Sequence, residues 1–214
     1  MRIEEKQFID YIKQKEIKDM VIVDVGSNVG AYIDYIEEQI PDIKKVYVFE
    51  PIKSCYDKIK RNEKRHIFNV GLGSKKGKEI FYECIGSETH SSFVNREWLY
   101  SKTEYNISKK EIFIDTLDNF VDEKIDLLKI DVEGFELEVL KGSIEKIRNK
   151  KIYYIQFEYG GCFKDNNVKL NDVINFLKNY GYKVYSLDDN KFKLINNYVD
   201  DYKWVNFYST HKTL

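Results

Sequence analysis

The sequence predicts a doubly wound α/β domain, and three features point that way. Val21-Ile22-Val23-Asp24-Val25 leads straight into the small-residue turn Gly26-Ser27-Asn28-Val29-Gly30, and an amphipathic helical pattern follows from Tyr32 to Ile40. A buried strand that ends in a glycine-bearing turn and opens a helix is how α/β folds hold nucleotides. A second strand, Lys45 to Glu50, ends on an acid about 20 residues past that turn, where such folds keep a ribose-binding carboxylate. Two later apolar runs, Ile125 to Val132 and Ile152 to Glu158, alternate with helical periodicity and bring Asp131 and Glu158 to one rim.

The spacing of the turn narrows what it binds. G-x-x-x-G is neither the G-x-G-x-x-G of dinucleotide folds nor a P-loop. Gly26 and Gly30 lack Cβ, so backbone can approach a ligand or take positive φ; Asn28 is the non-glycine type that best tolerates that region. The helix beyond opens with unpaired N–H donors and a partial positive charge. Asp24, just before the turn, would repel phosphate and suits an amine, a hydroxyl or a cation. Glu50 in this reading accepts from both ribose hydroxyls; the alternative is a helix-capping acid worth about 1 kcal/mol. Asn69 and Val70, at the end of the third strand, sit on the same rim, where a purine ring is held.

Composition sets the outer bounds. A chain of 214 residues suits one α/β domain. Lys and Arg number 35 against 36 Asp and Glu, so no overall field favours nucleic acid or an acidic membrane. Cys55, Cys84 and Cys162 match neither a disulfide framework nor a zinc site, which points to reduced thiols and a cytoplasmic setting. The N-terminus does not read as a signal peptide, and no stretch approaches the roughly 18 apolar residues of a membrane span.

In chain order, residues 4–16 form a helix with Phe8, Ile9 and Ile12 inward, packed on one flank of a single domain that spans 20–214. A helix over Lys53 to Asn62 buries Cys55 and Ile59, and His66 to Val70 is the third strand. Residues 75–115 break the βαβ rhythm: Lys78 to Ile85 reads as an added strand, Gly86 to Phe93 as a polar loop reaching over the ligand rim, and Trp98, Tyr100 and Tyr105 as an aromatic segment suited to stacking on sugar rings or to a dimer surface. Glu111 to Asp115 is extended, and Thr116 to Phe120 is a capped helical turn. One continuous helix follows Glu136, with Leu137, Val139, Leu140, Ile144 and Ile147 inward and Glu136 as a first-turn acid. Lys169 to Tyr180 is helical, and Tyr182 to Leu187, Phe192 to Ile195 and Trp204 to Tyr208 are the last strands. His66 and His211 read as surface residues.

Asp24-Val25-Gly26-Ser27-Asn28-Val29-Gly30, Phe49-Glu50-Pro51, Thr116-Leu117-Asp118 and Leu128-Lys129-Ile130-Asp131-Val132-Glu133-Gly134-Phe135-Glu136 together resemble the FkbM family of S-adenosylmethionine-dependent methyltransferases, over roughly residues 20–187. The resemblance implies a three-layer Rossmann-like sheet of order 3-2-1-4-5-7-6 with strand seven antiparallel. It implies that Gly26, Ser27, Asn28 and Gly30 cradle the methionine moiety with Asp24 near its amino group, that Glu50 beside Pro51 binds ribose, and that Asn69, Val70 and Gly71 border adenine. The loop with His90, Ser91 and Ser92 closes on the donor, and Asp131 lies near the reacting centre. Relatives of this kind are commonly O-methyltransferases of sugars or polyketide-type hydroxyls.

Methyl transfer to a hydroxyl requires alignment of oxygen, methyl and sulfur, and a base for the proton. His90, Asp131 and Glu158 are the candidate bases; Asp131, Glu133 and Glu158 are alternatively a hard-oxygen set for Mg2+. Lys129, inside a central strand, must snorkel or pair, and Asp24 or Asp131 would be an economical partner. The reading is therefore an O-methyltransferase acting on a carbohydrate hydroxyl, with no nucleic-acid partner and with fusion or association with glycosyltransferases as its setting. A non-sugar acceptor and a short-chain NAD-dependent oxidoreductase are the alternatives, the latter opposed by the missing dinucleotide spacing.

Overall fold

The computed structural model describes residues 1–101 and 105–212, and the side chain of Trp98 lies outside what is described. Eleven strands and eight α-helices alternate along these residues: α1 (Ile3–Lys13), β1 (Met20–Val25), α2 (Ala31–Gln39), β2 (Ile43–Phe49), α3 (Lys53–Tyr56), β3 (Arg65–Phe68), β4 (Gly71–Leu72), β5 (Gly77–Ile85), α4 (Glu97–Tyr100), β6 (Asn106–Asp115), β7 (Ile125–Ile130), α5 (Glu136–Lys141), α6 (Ile144–Arg148), β8 (Ile152–Tyr159), α7 (Gly161–Asp165), α8 (Leu170–Asn179), β9 (Lys183–Asp188), β10 (Lys191–Ile195) and β11 (Val205–Thr210). The main sheet runs β10-β9-β11-β8-β7-β1-β2-β3. This is the expected class I order, with β11 antiparallel to both neighbours and β10 added at the edge as a hairpin partner of β9.

Strand alternation decides which helices cover which side chains. Val21, Val23 and Val25 of β1, with Leu128, Ile130, Ile155 and Phe157, face the layer built by α5, α6 and α8. Met20 and Ile22, with Val46, Val48, Leu127 and Tyr154, face α1 and α2 through Phe8, Ile9, Ile12, Ile33 and Ile36. Asp24 and Lys129 share parity with this second set. They form a buried ion pair at 3.2 Å, and Lys129 also lies 3.4 Å from Asp131, so it pairs with both expected partners.

The insertion together with β4 builds a second sheet, β4-β6-β5, whose long antiparallel β5–β6 pair brings Phe81 to the rim. Tyr82 and Ser92 exchange backbone hydrogen bonds, folding the polar loop back on β5. Among the described residues no helix is long and apolar enough to cross a membrane.

Several boundaries differ from expectation. The helix expected over 53–62 stops at Tyr56, and i→i+3 bonds through Ile59 then bring that side chain against Gly30. The third strand ends at Phe68, and the chain resumes as β4 in the other sheet. The helix after Glu136 is broken at Gly142-Ser143, where Gly142 packs so tightly that a Cβ would lie 1.9 Å from the Gly73 carbonyl oxygen. The turn at 117–119 has no side-chain cap from its N-cap residue Thr116; Asp115 before it accepts the Thr116 N–H and the Asn119 side-chain amide. Asp118 instead accepts from the Glu145 and Lys146 N–H groups at the start of α6. His66 is exposed, but His211 is half-buried between the rings of Tyr153 and Tyr182.

Candidate active site

A cavity of about 490 Å³ opens at the carboxyl ends of β1, β2, β7 and β8. At one end lies Glu50, 3 % exposed, immediately after β2. Its Oε2 accepts the Asn28 N–H at 2.7 Å and its Oε1 accepts the Ile52 N–H at 2.8 Å. Each carboxylate oxygen has a further lone pair. Burial pushes this carboxyl up to about 7, against the pull of the two N–H groups. Beside it Ile52, Val70, Leu72, Phe81 and Phe93 line an apolar slot, and Phe81 meets Phe93 edge-on at 4.8 Å.

Gly26 joins this end to the other. It has φ +78°, and a Cβ there would sit 1.9 Å from the Asp131 carbonyl oxygen. Only glycine lets the ends of β1 and β7 approach so closely.

At the far end, carboxylate oxygens of Asp131, Glu133 and Glu158 lie within 4.8 Å of one another. Glu133 is held in the left-handed region (φ +55°) in a loop supported from below by Glu136, which is fully buried and accepts the Val132 and Gly134 N–H groups at 3.0 and 2.9 Å. Glu136 is thus a buried clamp rather than a surface helix-end acid, and burial raises it to about 8. Burial and the Asp131 charge raise Glu133 to about 8 and Glu158 to about 9. Two arginines answer these charges: Arg96, fully buried, reaches Glu133 at 2.7 Å and Asp165 at 3.4 Å, and Arg2 reaches Glu158 at 2.8 Å. Arg96 and Arg2 already set positive charge against Glu133 and Glu158, which works against a magnesium ion on the three carboxylates. His90 also faces the cavity, its Nδ1 2.8 Å from Ser87 Oγ and its ring 5.3 Å from that of Tyr105. Burial and the Arg96 charge lower its pKa, which favours neutral imidazole.

Of the residues singled out from the sequence, Gly26, Asn28, Glu50, Pro51, Val70, Gly71, His90, Asp131, Glu133 and Glu158 line the cavity. Five others stand behind it. Asp24 is turned by strand alternation towards α1 and α2, into the pair with Lys129. Ser27 is buried within the turn, bonded through its backbone to Phe49 and Gly30. Gly30 supplies φ +84° at the start of α2 and packs on Ile59. Asn69 is exposed and donates to the Glu50 and Pro51 carbonyls, tethering that loop. Ser92 donates to the Glu133 carbonyl and accepts the Val94 N–H, so it ties the insertion to the acidic loop. The expected aromatic segment does not reach the wall through Tyr100 or Tyr105; Trp204, 44 % exposed, lines it instead. Arg2, Arg96, Trp204 and Phe81 were not legible as site residues, and no local motif marks any of them; Phe93 closes the loop expected to reach over the rim.

The profile of the Methyltransferase FkbM domain matches residues 24–184. The chain belongs to the FkbM methyltransferase family. It is 28 % identical to the methyltransferase sdnD of Sordaria araneosa, over 58 % of this chain and 61 % of that one. It is 28 % identical to the hexuronic acid methyltransferase AglP of Haloferax volcanii, over 75 % of this chain and 65 % of that one. The chain therefore spans less than two thirds of either relative. In fold it resembles the FkbM methyltransferase of Methylobacillus flagellatus (TM-score 0.57, 14 % identity, 91 % of this chain and 44 % of that chain). It also resembles the plantazolicin methyltransferase BpumL, solved with S-adenosylhomocysteine (TM-score 0.52, 7 % identity, 97 % and 84 %). This methyltransferase membership sets aside the oxidoreductase alternative.

Proposed function

We propose that this family member is an S-adenosylmethionine-dependent O-methyltransferase acting on a sugar hydroxyl. The observation that carries the reading is the buried Glu50 carboxylate, fixed by the Asn28 and Ile52 N–H groups on the cavity wall beside an apolar slot. Glu50 accepts from the ribose hydroxyls, and Val70 and Gly71 with Ile52, Phe81 and Phe93 enclose the adenine. The Gly26–Asn28 backbone borders the methionine moiety; Asp24, Ser27, Gly30, Asn69 and Ser92 act from behind by shaping these elements. The bound sulfonium supplies an activated methyl group. Asp131 and Glu158 would face the acceptor hydroxyl, and this pair would take its proton while the methyl group leaves sulfur, which keeps the bonding electron pair, for the acceptor oxygen. His90, neutral and on the same wall, is the other group able to receive it.

A sugar acceptor is supported by the half-exposed Trp204 ring at the cavity and by the name of the AglP relative. The same reading takes residues 20–214 as the catalytic unit with residues 75–115 inserted, places it in a reducing cytoplasm suited to three buried free cysteines, and makes glycosyltransferases its natural associates. Titration calorimetry with S-adenosylmethionine tests its foundation. Glu50→Ala is expected to weaken binding about 100-fold, since two hydrogen bonds to a charged group are lost; unchanged affinity would sink the assignment. Tritiated methyl transfer to a set of p-nitrophenyl glycosides tests the acceptor class.

A further inference from the structure

We infer that Arg2, delivered by the N-terminal helix, is a positioning residue that holds the Glu158 carboxylate at the acceptor end of the cavity. The inference rests on the reading of Glu158 given above. Helix α1 lies outside the stretch matched by the family profile, which begins at residue 24. It is nevertheless built into the site. Phe8, Ile9 and Ile12 anchor it in the core on the Asp24 face of the sheet. Its first turn is fastened a second time, by polar contacts. Glu5, 8 % exposed, accepts the Arg2 N–H at 2.6 Å through Oε2 and the Gln156 amide at 3.3 Å through Oε1. Gln156 is fully buried on β8, and its own carbonyl accepts the Tyr32 hydroxyl from α2 at 2.9 Å.

The position of Gln156 is what gives this fastening a consequence. It stands two residues before Glu158 on the same strand, hence on the same face. Locking the start of α1 to Gln156 therefore sets Arg2 beside Glu158, where its guanidinium closes the 2.8 Å pair on the cavity wall. A helix held by its apolar stripe alone would need neither the buried Glu5 nor the buried Gln156, since burying such groups is costly unless they are hydrogen-bonded. Arg2 acts through Glu158: it fixes the rotamer of a carboxylate that must meet an acceptor hydroxyl at hydrogen-bond distance.

Carbodiimide coupling of glycine ethyl ester to the full chain loaded with S-adenosylhomocysteine, read by peptide mass spectrometry, tests the pairing without needing the acceptor. Arg2→Met and Glu5→Gln are expected to raise labelling of Glu158 about fivefold, with Arg2→Lys near wild type and Glu133, held by Arg96, unchanged. No rise at Glu158 overturns the inference, as does a general rise at all carboxylates, which would mean the helix had only detached. On any glycoside that the wild type methylates, Arg2→Met should lower kcat about tenfold with KM for the donor unchanged, and Arg2→Lys should recover it; equal kcat, or a loss confined to donor KM, also overturns it. Absence of S-adenosylhomocysteine binding to the wild type would remove the donor reading, and labelling of the unliganded chain would then decide the pairing alone.

Discussion

At the Glu50 end of the cavity a carboxylate is held by backbone N–H groups from the flanking turns. At the Glu158 end two carboxylates are held by guanidinium groups from remote elements, Glu133 by Arg96 of the insertion and Glu158 by Arg2 of the N-terminal helix, while Asp131 pairs with Lys129 of β7. The first arrangement is short-range and rigid, since backbone donors cannot swing away. The second is long-range and depends on how separate pieces of the chain dock. On the proposed function, the rigid end would hold the donor and the end built from separate pieces of chain would meet the acceptor.

Gly26→Ala should break the comparison altogether, because this residue joins the two ends. With positive φ and a Cβ 1.9 Å from a carbonyl oxygen, the variant is expected to lose about 4 kcal/mol or fail to fold, read by urea denaturation. Arg96→Met should damage the acceptor end more selectively. It leaves Glu133 without its buried cation, with an expected loss of about 3 kcal/mol in the same assay, and donor affinity should change far less than in Glu50→Ala.

Acidity sets stability and donor affinity against each other. Glu50 at about 7, Glu133 and Glu136 at about 8 and Glu158 at about 9 all lie above the ordinary 4.5. An acid whose folded pKa is raised costs stability when ionised, so the ligand-free protein should gain thermal stability as pH falls from about 9 towards 5. Donor affinity should move the other way, falling below pH 7 as Glu50 takes up a proton and loses acceptor capacity. Melting curves and calorimetry at matched pH would show the opposed trends; parallel trends would contradict the assignment of Glu50. The smallest effect is expected for Asn69→Ala. It removes two hydrogen bonds that tether the Glu50 loop from an exposed position, and donor affinity should fall about threefold with stability nearly unchanged.

The Glu50 end was largely legible because strand ends are local features. A run of β-branched residues, a glycine turn and an acid before Pro51 place Gly26, Asn28 and Glu50 without knowledge of any distant contact, and the same holds for Asp131 and Glu158. Asp24 shows the limit. Its parity with Met20 and Ile22 is written in the chain, but the sequence does not say that α1 and α2 cover that face and that Lys129 waits there. Ser92 and Asn69 lie in the expected loops, and their side chains bond backbone groups rather than line the cavity, since a polar side chain near a rim serves the backbone as readily as a ligand. The expected continuous helix after Glu136 failed at Gly142, where tertiary crowding against Gly73 outweighs helical periodicity.

Periodicity, turn chemistry and the acids at strand ends by themselves determined the α/β class and the rim on which the cavity lies, whereas the strand order came only from the resemblance to the FkbM family. Those properties follow from interactions between residues close in sequence. Which carboxylates are paired, which ring stands at the mouth and which helix touches Glu158 were decided only when distant segments packed together. Charge pairing inside a protein depends on distance and on exclusion of water, and neither quantity exists until the chain has closed on itself.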